Sequence, residues 1–424
     1  MAYIKRIIDS SLAQKVQVQP AIAIEGAKAV GKTSSAKQFA ATTIRLDDDS
    51  VREAVALAPD RVLKQQTPIL LDEWQRLPQV WDYVRRSVDD DDSPGKFILT
   101  GSAYPHGAKI HSGAGRIITV RMRPFSLEER AMDRVAVRIS DLINRAGVDD
   151  DFPLFTEVSS CDYLKEILLS GFPGIRKLAL PDAIDRLDGY VLGISSREFA
   201  EQGVVIRNPQ ALHDWLRAYA AATASTASFE TIRDGATPGQ TDKPAKKTTT
   251  KFRDTLNSLW LIDQVDPWIP TSSPFKYIGK APKHHLVDPA LAARLLDVGE
   301  DGLMEDVSIQ LLGPQKKPLM GRLFESLVSQ SLQTYAQANR ARLRHFRTVR
   351  GEREVDFIIE RGNQIIAIEA KFATSISMDD CENLLWLEET FPSHTITKVI
   401  VYAGAVAYKN SADVLIVPAA LLGA

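Results

Sequence analysis

Short apolar runs alternate with amphipathic stretches through roughly the first 130 residues. AIAIEG (21–26), TTIRLDD (42–48), PILLDE (68–73), FILTGSA (97–103) and RIITVRM (116–122) are rich in Ile, Leu, Val and Thr, and helical patterns separate them, the first from about Lys32 to Phe39. Strand and helix in alternation predict a mainly parallel sheet covered on both faces, ending near Arg130. From about Asp141 to Arg233 the pattern turns mostly helical, as in DYLKEILLSG and LHDWLRAYAAATAS, until RDGATPGQTDKPAKKTTTK interrupts it with loop composition. An amphipathic helix follows from Thr248 to Leu259, with Phe252, Leu256 and Leu259 on one side, and then two probable strands, WLIDQVDPW and KHHLVDP. LLGPQKKPLMG opens the last unit. Its helix, GRLFESLVSQSLQTYA, carries Phe324, Leu327, Val328, Ser331, Leu332 and Tyr335 as one stripe, and strands RHFRTV, EVDFIIE, IIAIEAKF, KVIVYAG and VLIVP come after it. The expected organisation is a parallel-sheet core (1–135), a helical lid or linker (136–210), a helix-and-wing module (211–300) and an α/β carboxy-terminal domain (301–424).

Composition narrows the class. A chain of 424 residues, 44% apolar and 25% charged, is long enough for more than one core. The net charge of −2 announces no nucleic-acid partner by itself, so such a partner must rest on local patches. Cys161 and Cys381 lack any C-x-x-C spacing, and no run reaches the ~18 apolar residues of a membrane span. The expectation is a cytoplasmic protein with no membrane association.

GAKAVGKT, Gly26 to Thr33, fits G-x-x-x-x-G-K-[ST] directly after a strand and before a helix. In this pattern the backbone of Gly26, Ala27, Lys28, Ala29, Val30 and Gly31 wraps phosphates, continuing through Ser34 into the helix. Lys32 reaches the β- and γ-phosphates and Thr33 ligates Mg²⁺. PILLDEW adds Asp72 as a second magnesium ligand and Glu73 to polarise the attacking water. Thr100 and Ser102 end another strand, as phosphate sensors or as simple caps. Arg116, in GAGRIITV, is either a finger completing a neighbouring copy's site in a homo-oligomer or an ordinary surface arginine. The absence of an N/T-K-x-D run favours ATP over GTP.

In the carboxy-terminal unit, period-two alternation over Ile365 to Phe372 points Glu369 and Lys371 the same way. The short link RGNQ predicts an antiparallel neighbour that places Asp356 across from them. Carboxylates at Asp356 and Glu369, with Glu325 from the preceding helix as a third, suit Mg²⁺, and Lys371 suits activation of a water. The competing reading is a charged strand edge. In the middle region, Lys243, Lys246, Lys247, Lys251 and Arg253, with Lys276, Lys280 and Lys283 from the wing, either contact DNA phosphates or form a solvated face. His284 and His285 lack a third ligand and read as strand or surface histidines.

The succession GAKAVGKT, LLDEWQRLP, FILTGSA, GRIITVRMRPFSLEE, SGFPGI, PKHHLVDPALAARLL, GRLFESLV and EVDFIIE…IAIEAKF resembles a family of bacterial and archaeal AAA-type ATPases with a carboxy-terminal domain of unknown function. The resemblance covers nearly the whole chain, with a poor fit from Asp234 to Lys247. It implies an ATP and Mg²⁺ site at Lys32, Thr33, Asp72 and Glu73, a winged-helix-like middle and a restriction-endonuclease-like end. Asp356, Glu369 and Lys371 also match the PD-(D/E)XK nuclease order, with Val355 where a proline is usual. The leading expectation is an ATPase whose nucleotide state controls a DNA-directed module, the carboxy-terminal domain being either a nuclease or a nuclease-derived DNA binder. The alternative is a non-catalytic nucleotide-gated scaffold whose nuclease-like domain recognises a protein.

Overall fold

The computed structural model describes residues 3–103, 113–144, 152–237, 244–270, 281–303 and 318–424. The chain divides into two compact units. Met1–Pro124 forms the first together with Ser196–Arg207 and Thr250–Leu261, and Phe125–Ser195, Asn208–Thr249 and Ile262–Ala424 form the second. The sequence suggested four segments; the dividing line instead falls within helix Lys246–Ser258.

The first unit holds the expected parallel sheet. Strands β1 (Ala21–Glu25), β2 (Thr42–Arg45), β3 (Ile69–Asp72), β4 (Phe97–Gly101) and β5 (Ile117–Arg121) run in the order β2-β3-β4-β1-β5, all parallel. Ala21, Ala23, Ile69, Leu71, Phe97 and Leu99 join one core with Val80, Trp81, Val84 and Val88 of helix Gln79–Asp90. Ile22, Ile24, Leu70 and Ile98 are buried on the opposite side of their strands, so both faces are covered, as parallel sheets require. Each such side chain contributes about 1.5–3 kcal/mol by leaving water. The register aligns Asp72 with Thr100 and Ile24 with Thr100, so three neighbouring strands end in one row.

The second unit combines helices, among them Ser160–Leu169, Leu180–Gly193, Pro209–Ala221, Phe229–Gly235 and Pro289–Leu295, with a mixed sheet. Here β6 (Val137–Arg138) pairs with β14 (Leu422–Gly423). The seven-stranded sheet comprises β7 (Leu154–Phe155), β8 (Arg342–Arg347), β9 (Glu354–Arg361), β10 (Gln364–Lys371), β11 (Thr395–Tyr402), β12 (Val406–Lys409) and β13 (Leu415–Pro418), in the order β7-β12-β13-β11-β10-β9-β8. β9 and β10 pair antiparallel, as the RGNQ link implied, with Phe357 opposite Ile368. Helix Leu319–Ala338 packs on β8, β9 and β10, and the predicted stripe of Phe324, Leu327, Val328, Ser331, Leu332 and Tyr335 is buried throughout.

The two strands expected around the wing are reduced to isolated antiparallel bridges, Ile262 with Leu286 and Val265 with Lys283. They turn inward: Trp268 and His345, both buried, are joined by a 2.6 Å backbone hydrogen bond that ties this segment to β8. His284 and His285, expected as strand or surface residues, are both 1% exposed.

Candidate functional site

The phosphate loop sits at the carboxyl end of β1, where an open parallel sheet places its ligand crevice. Gly26 is required by close approach: a Cβ there would stand 2.1 Å from the Met122 carbonyl oxygen. Gly31, at φ 102°, takes the left-handed conformation that lets the loop turn into helix Lys32–Ala36. Lys32 is 5% exposed, and its ammonium donates to the carbonyls of Gly26 and Ala27, each at 2.8 Å. Burial draws its pKa down to about 8, against the opposing pull of Glu73 and Asp72.

Thr33 Oγ1 donates to Asp72 Oδ1 at 2.7 Å, so the hydroxyl from the loop and the carboxylate ending β3 meet directly. The buried Thr100 hydroxyl donates to the same Asp72 oxygen. Thr100, expected as a phosphate sensor or a cap, here supports a carboxylate. Glu73 follows in a left-handed conformation, φ 57° and ψ 46°, rare for a non-glycine residue and typical of functional positions. Ser102 Oγ donates to Glu73 Oε2 at 3.1 Å, and Gln75 Nε2 donates both to that oxygen and to Ser102 Oγ, the latter at 3.0 Å. Gln75 went unnoticed in the sequence, where only its position two residues after Glu73 hinted at a role. Gly101 makes room for this group: a Cβ there would lie 2.6 Å from Trp74 Nε1. Chemically, the arrangement offers an ammonium and backbone groups for phosphate oxygens, a hydroxyl and carboxylate pair suited to Mg²⁺, and a carboxylate held to orient water.

Lys28 and Arg76 also border this end of the unit. The Lys28 ammonium lies 2.6 Å from Glu198 and 3.1 Å from Glu201, and Arg76 lies 3.0 Å from Glu201. Both acids come from the 196–207 stretch, which the sequence placed in a helical lid or linker without assigning either acid. Arg116 pairs with Asp89 of its own chain at 2.7 Å and is half-exposed.

In the second unit the structure brings Glu325 and Asp356 together through a residue assigned elsewhere. Lys283, expected on a basic DNA-facing wing, is fully buried, and its Nζ lies 2.8 Å from Glu325 Oε1, 2.9 Å from Glu354 Oε1 and 3.0 Å from Asp356 Oδ1. The wing assignment is therefore corrected: the bridge to Val265 carries this side chain inward. Burial opposes its charge, but Asp356, Glu325 and Glu354 outweigh that cost and hold the ammonium well above its ordinary range. Asp356 Oδ2 accepts from the Ala370 backbone at 3.1 Å. Glu369 is buried, with Lys371 Nζ 3.6 Å from its Oε2, and Lys371 also lies 3.7 Å from Asp380. The buried His285 is pushed down to about 3 by burial and by Lys283, and His345 to about 4 by the same two causes, so both rings beside the ammonium are neutral.

Of the basic residues assigned to DNA, Lys247 and Lys251 are exposed on helix Lys246–Ser258, Lys246 pairs with Glu230 at 3.0 Å, and Arg253 pairs with Asp254. Lys243, Lys276 and Lys280 lie outside the described residues. Among the described residues, no helix is long and apolar enough to cross a membrane.

Comparison with known proteins matches three stretches of the chain to families. Residues 18–131 match the family described as AAA domain, residues 161–302 the domain of unknown function DUF8612, and residues 320–422 the domain of unknown function DUF4143. Uncharacterized proteins of Mycobacterium bovis and Mycobacterium tuberculosis are each 24% identical over 372 residues, covering 85% of this chain and 72% of the relative. Among solved structures, the Walker-type ATPase of Pyrococcus abyssi aligns at TM-score 0.40 and 15% identity, over 69% of this chain and 96% of that one. The ORC2 protein of Aeropyrum pernix aligns at 0.27 and 12%, over 71% and 92%. The phosphate loop and the family match over the parallel sheet together identify residues 18–131 as a P-loop, AAA-type ATPase-like domain.

Proposed function

We propose that the chain binds ATP with Mg²⁺ between Gly26 and Ser34 and hydrolyses it, and that nucleotide state controls DNA binding by the rest of the polypeptide. The observation that carries the nucleotide reading is the convergence of Lys32 and Thr33, after β1, with Asp72 and Glu73, ending β3 two strands away, Thr33 and Asp72 lying 2.7 Å apart. Thr33 and Asp72 would hold Mg²⁺, which when bound offsets negative charge on the phosphates. Lys32 would exchange its two loop carbonyls for phosphate oxygens, and Glu73, fixed by Gln75 and Ser102, would orient the attacking water. Support for DNA comes from Lys247 and Lys251, exposed one turn apart on one helix. Assembly of copies through the ATPase domain, with Arg116 entering a neighbour's site, would require Arg116 to leave Asp89.

A second reading, a nucleotide-gated switch without turnover, draws on the same hydrogen bonds that fix Glu73, because a carboxylate so occupied holds water less freely. Phosphate release by wild type, Lys32→Ala and Glu73→Gln, with and without DNA, separates the two. The ATPase reading expects Glu73→Gln to retain ATP while release falls by about 10²–10⁴-fold. Equal release in wild type and Lys32→Ala would remove it, and tight ATP binding with negligible release in wild type would favour the switch.

A further inference from the structure

Two of the three carboxylates expected to hold a metal, Glu325 and Asp356, are already occupied by a lysine, while the third, Glu369, lies beside Lys371. Glu325 from helix Leu319–Ala338 and Glu354 and Asp356 from β9 place three oxygens within 2.8–3.0 Å of the Lys283 Nζ. A divalent ion on those oxygens requires about 2.0–2.6 Å to each and would therefore sit against the ammonium, where two cations repel strongly. The lysine is fully buried, and its backbone is held by reciprocal hydrogen bonds with Val265 at 2.8 and 3.0 Å, so its side chain enters the carboxylates from a fixed point.

We propose that Lys283 is a built-in cation that takes the place of Mg²⁺ among Glu325, Glu354 and Asp356, so that the carboxy-terminal unit binds its ligand without metal-dependent cleavage. The inference is independent of the nucleotide site. It also gives the buried Glu325 and Asp356 a role that a strand-edge reading does not, because an edge has no need of two acids sealed from water around one ammonium.

The test is a Mn²⁺ titration of the full chain without nucleotide, followed by electron paramagnetic resonance. Wild type and Asp356→Asn should take up the same amount of Mn²⁺, since any ion at the phosphate loop is common to both. Mn²⁺ bound by wild type and lost in Asp356→Asn would overturn the proposal, and this comparison needs no Lys283 variant to fold. Lys283→Ser should gain one Mn²⁺ per chain, removed again by adding Asp356→Asn; a folded Lys283→Ser that gains none would show that the acids do not form a cation site. Wild type and Lys371→Ala should both leave plasmid DNA intact with Mg²⁺ or Mn²⁺. Nicking by wild type that Lys371→Ala abolishes would equally overturn the proposal.

Discussion

Replacing Lys283 by methionine keeps most of the side chain's volume and removes its charge. Three carboxylate oxygens now share the ammonium at 2.8–3.0 Å, and the residues bearing Glu325 and Asp356 are essentially sealed from water. Breaking a buried pair by deleting one partner costs about 3–5 kcal/mol, because the remaining charge stays buried without compensation. Glu354 is partly exposed and also has Arg347 3.8 Å away, so it adds little to that cost. For a unit of this size class about 3–5 kcal/mol lowers the melting temperature by roughly 6–20 °C. Urea and thermal unfolding of the full chain, monitored by circular dichroism, measure it. Adding Glu325→Gln and Asp356→Asn to Lys283→Met should recover more than half of the loss, since neutral groups no longer need the ammonium. A Lys283→Met protein within about 1 kcal/mol of wild type, a typical surface-substitution effect, would refute the claim that these acids are held by this lysine.

Other consequences are equally direct. The free protein's Lys32 has its pKa drawn down to about 8, and bound phosphates favour its charged form, so ATP binding should take up a proton above that pH. Isothermal titration should show affinity flat near neutrality and falling by up to about tenfold per pH unit above 8; constant affinity to pH ~10 would contradict the buried-lysine geometry. Glu25, ending β1, has its carboxyl pushed up to about 7 by burial, only partly offset by Arg121. Folding therefore favours its neutral form, a contribution present below the unfolded carboxyl range and lost as pH rises through about 7, so Glu25→Gln should stabilise the protein at pH ~8 and leave it unchanged near pH 4. In gel shifts, Lys247→Ala and Lys251→Ala should each weaken DNA binding and reduce the salt slope by about 0.9; unchanged slopes would leave this helix without a DNA role.

The phosphate loop was legible because its chemistry is local: Gly26, Gly31, Lys32 and Thr33 lie within eight consecutive residues, and the strand before and helix after them are written in the same stretch. The β9–β10 pairing was legible for a similar reason, a four-residue link between two apolar runs. Lys283 was not. Its three partners lie 42 to 73 positions away, and no periodicity reports contacts over such separations. One signal was available: a lysine separated from Leu286 and Val287 only by His284 and His285 is out of place in a buried strand unless a carboxylate awaits it. Glu198 and Glu201 were hidden in the same way, in a helical stretch whose sequence gives no sign that it belongs with Lys28 and Arg76.

The account turns on whether the Gly26–Thr33 loop holds a nucleotide. Equilibrium binding of labelled ATP with Mg²⁺ to wild type and Lys32→Ala, with circular dichroism to show that both are folded, measures it most directly. Saturable retention by wild type that is lost in Lys32→Ala is the predicted result. Failure of the folded wild type to retain ATP, or equal retention by both proteins, would contradict it.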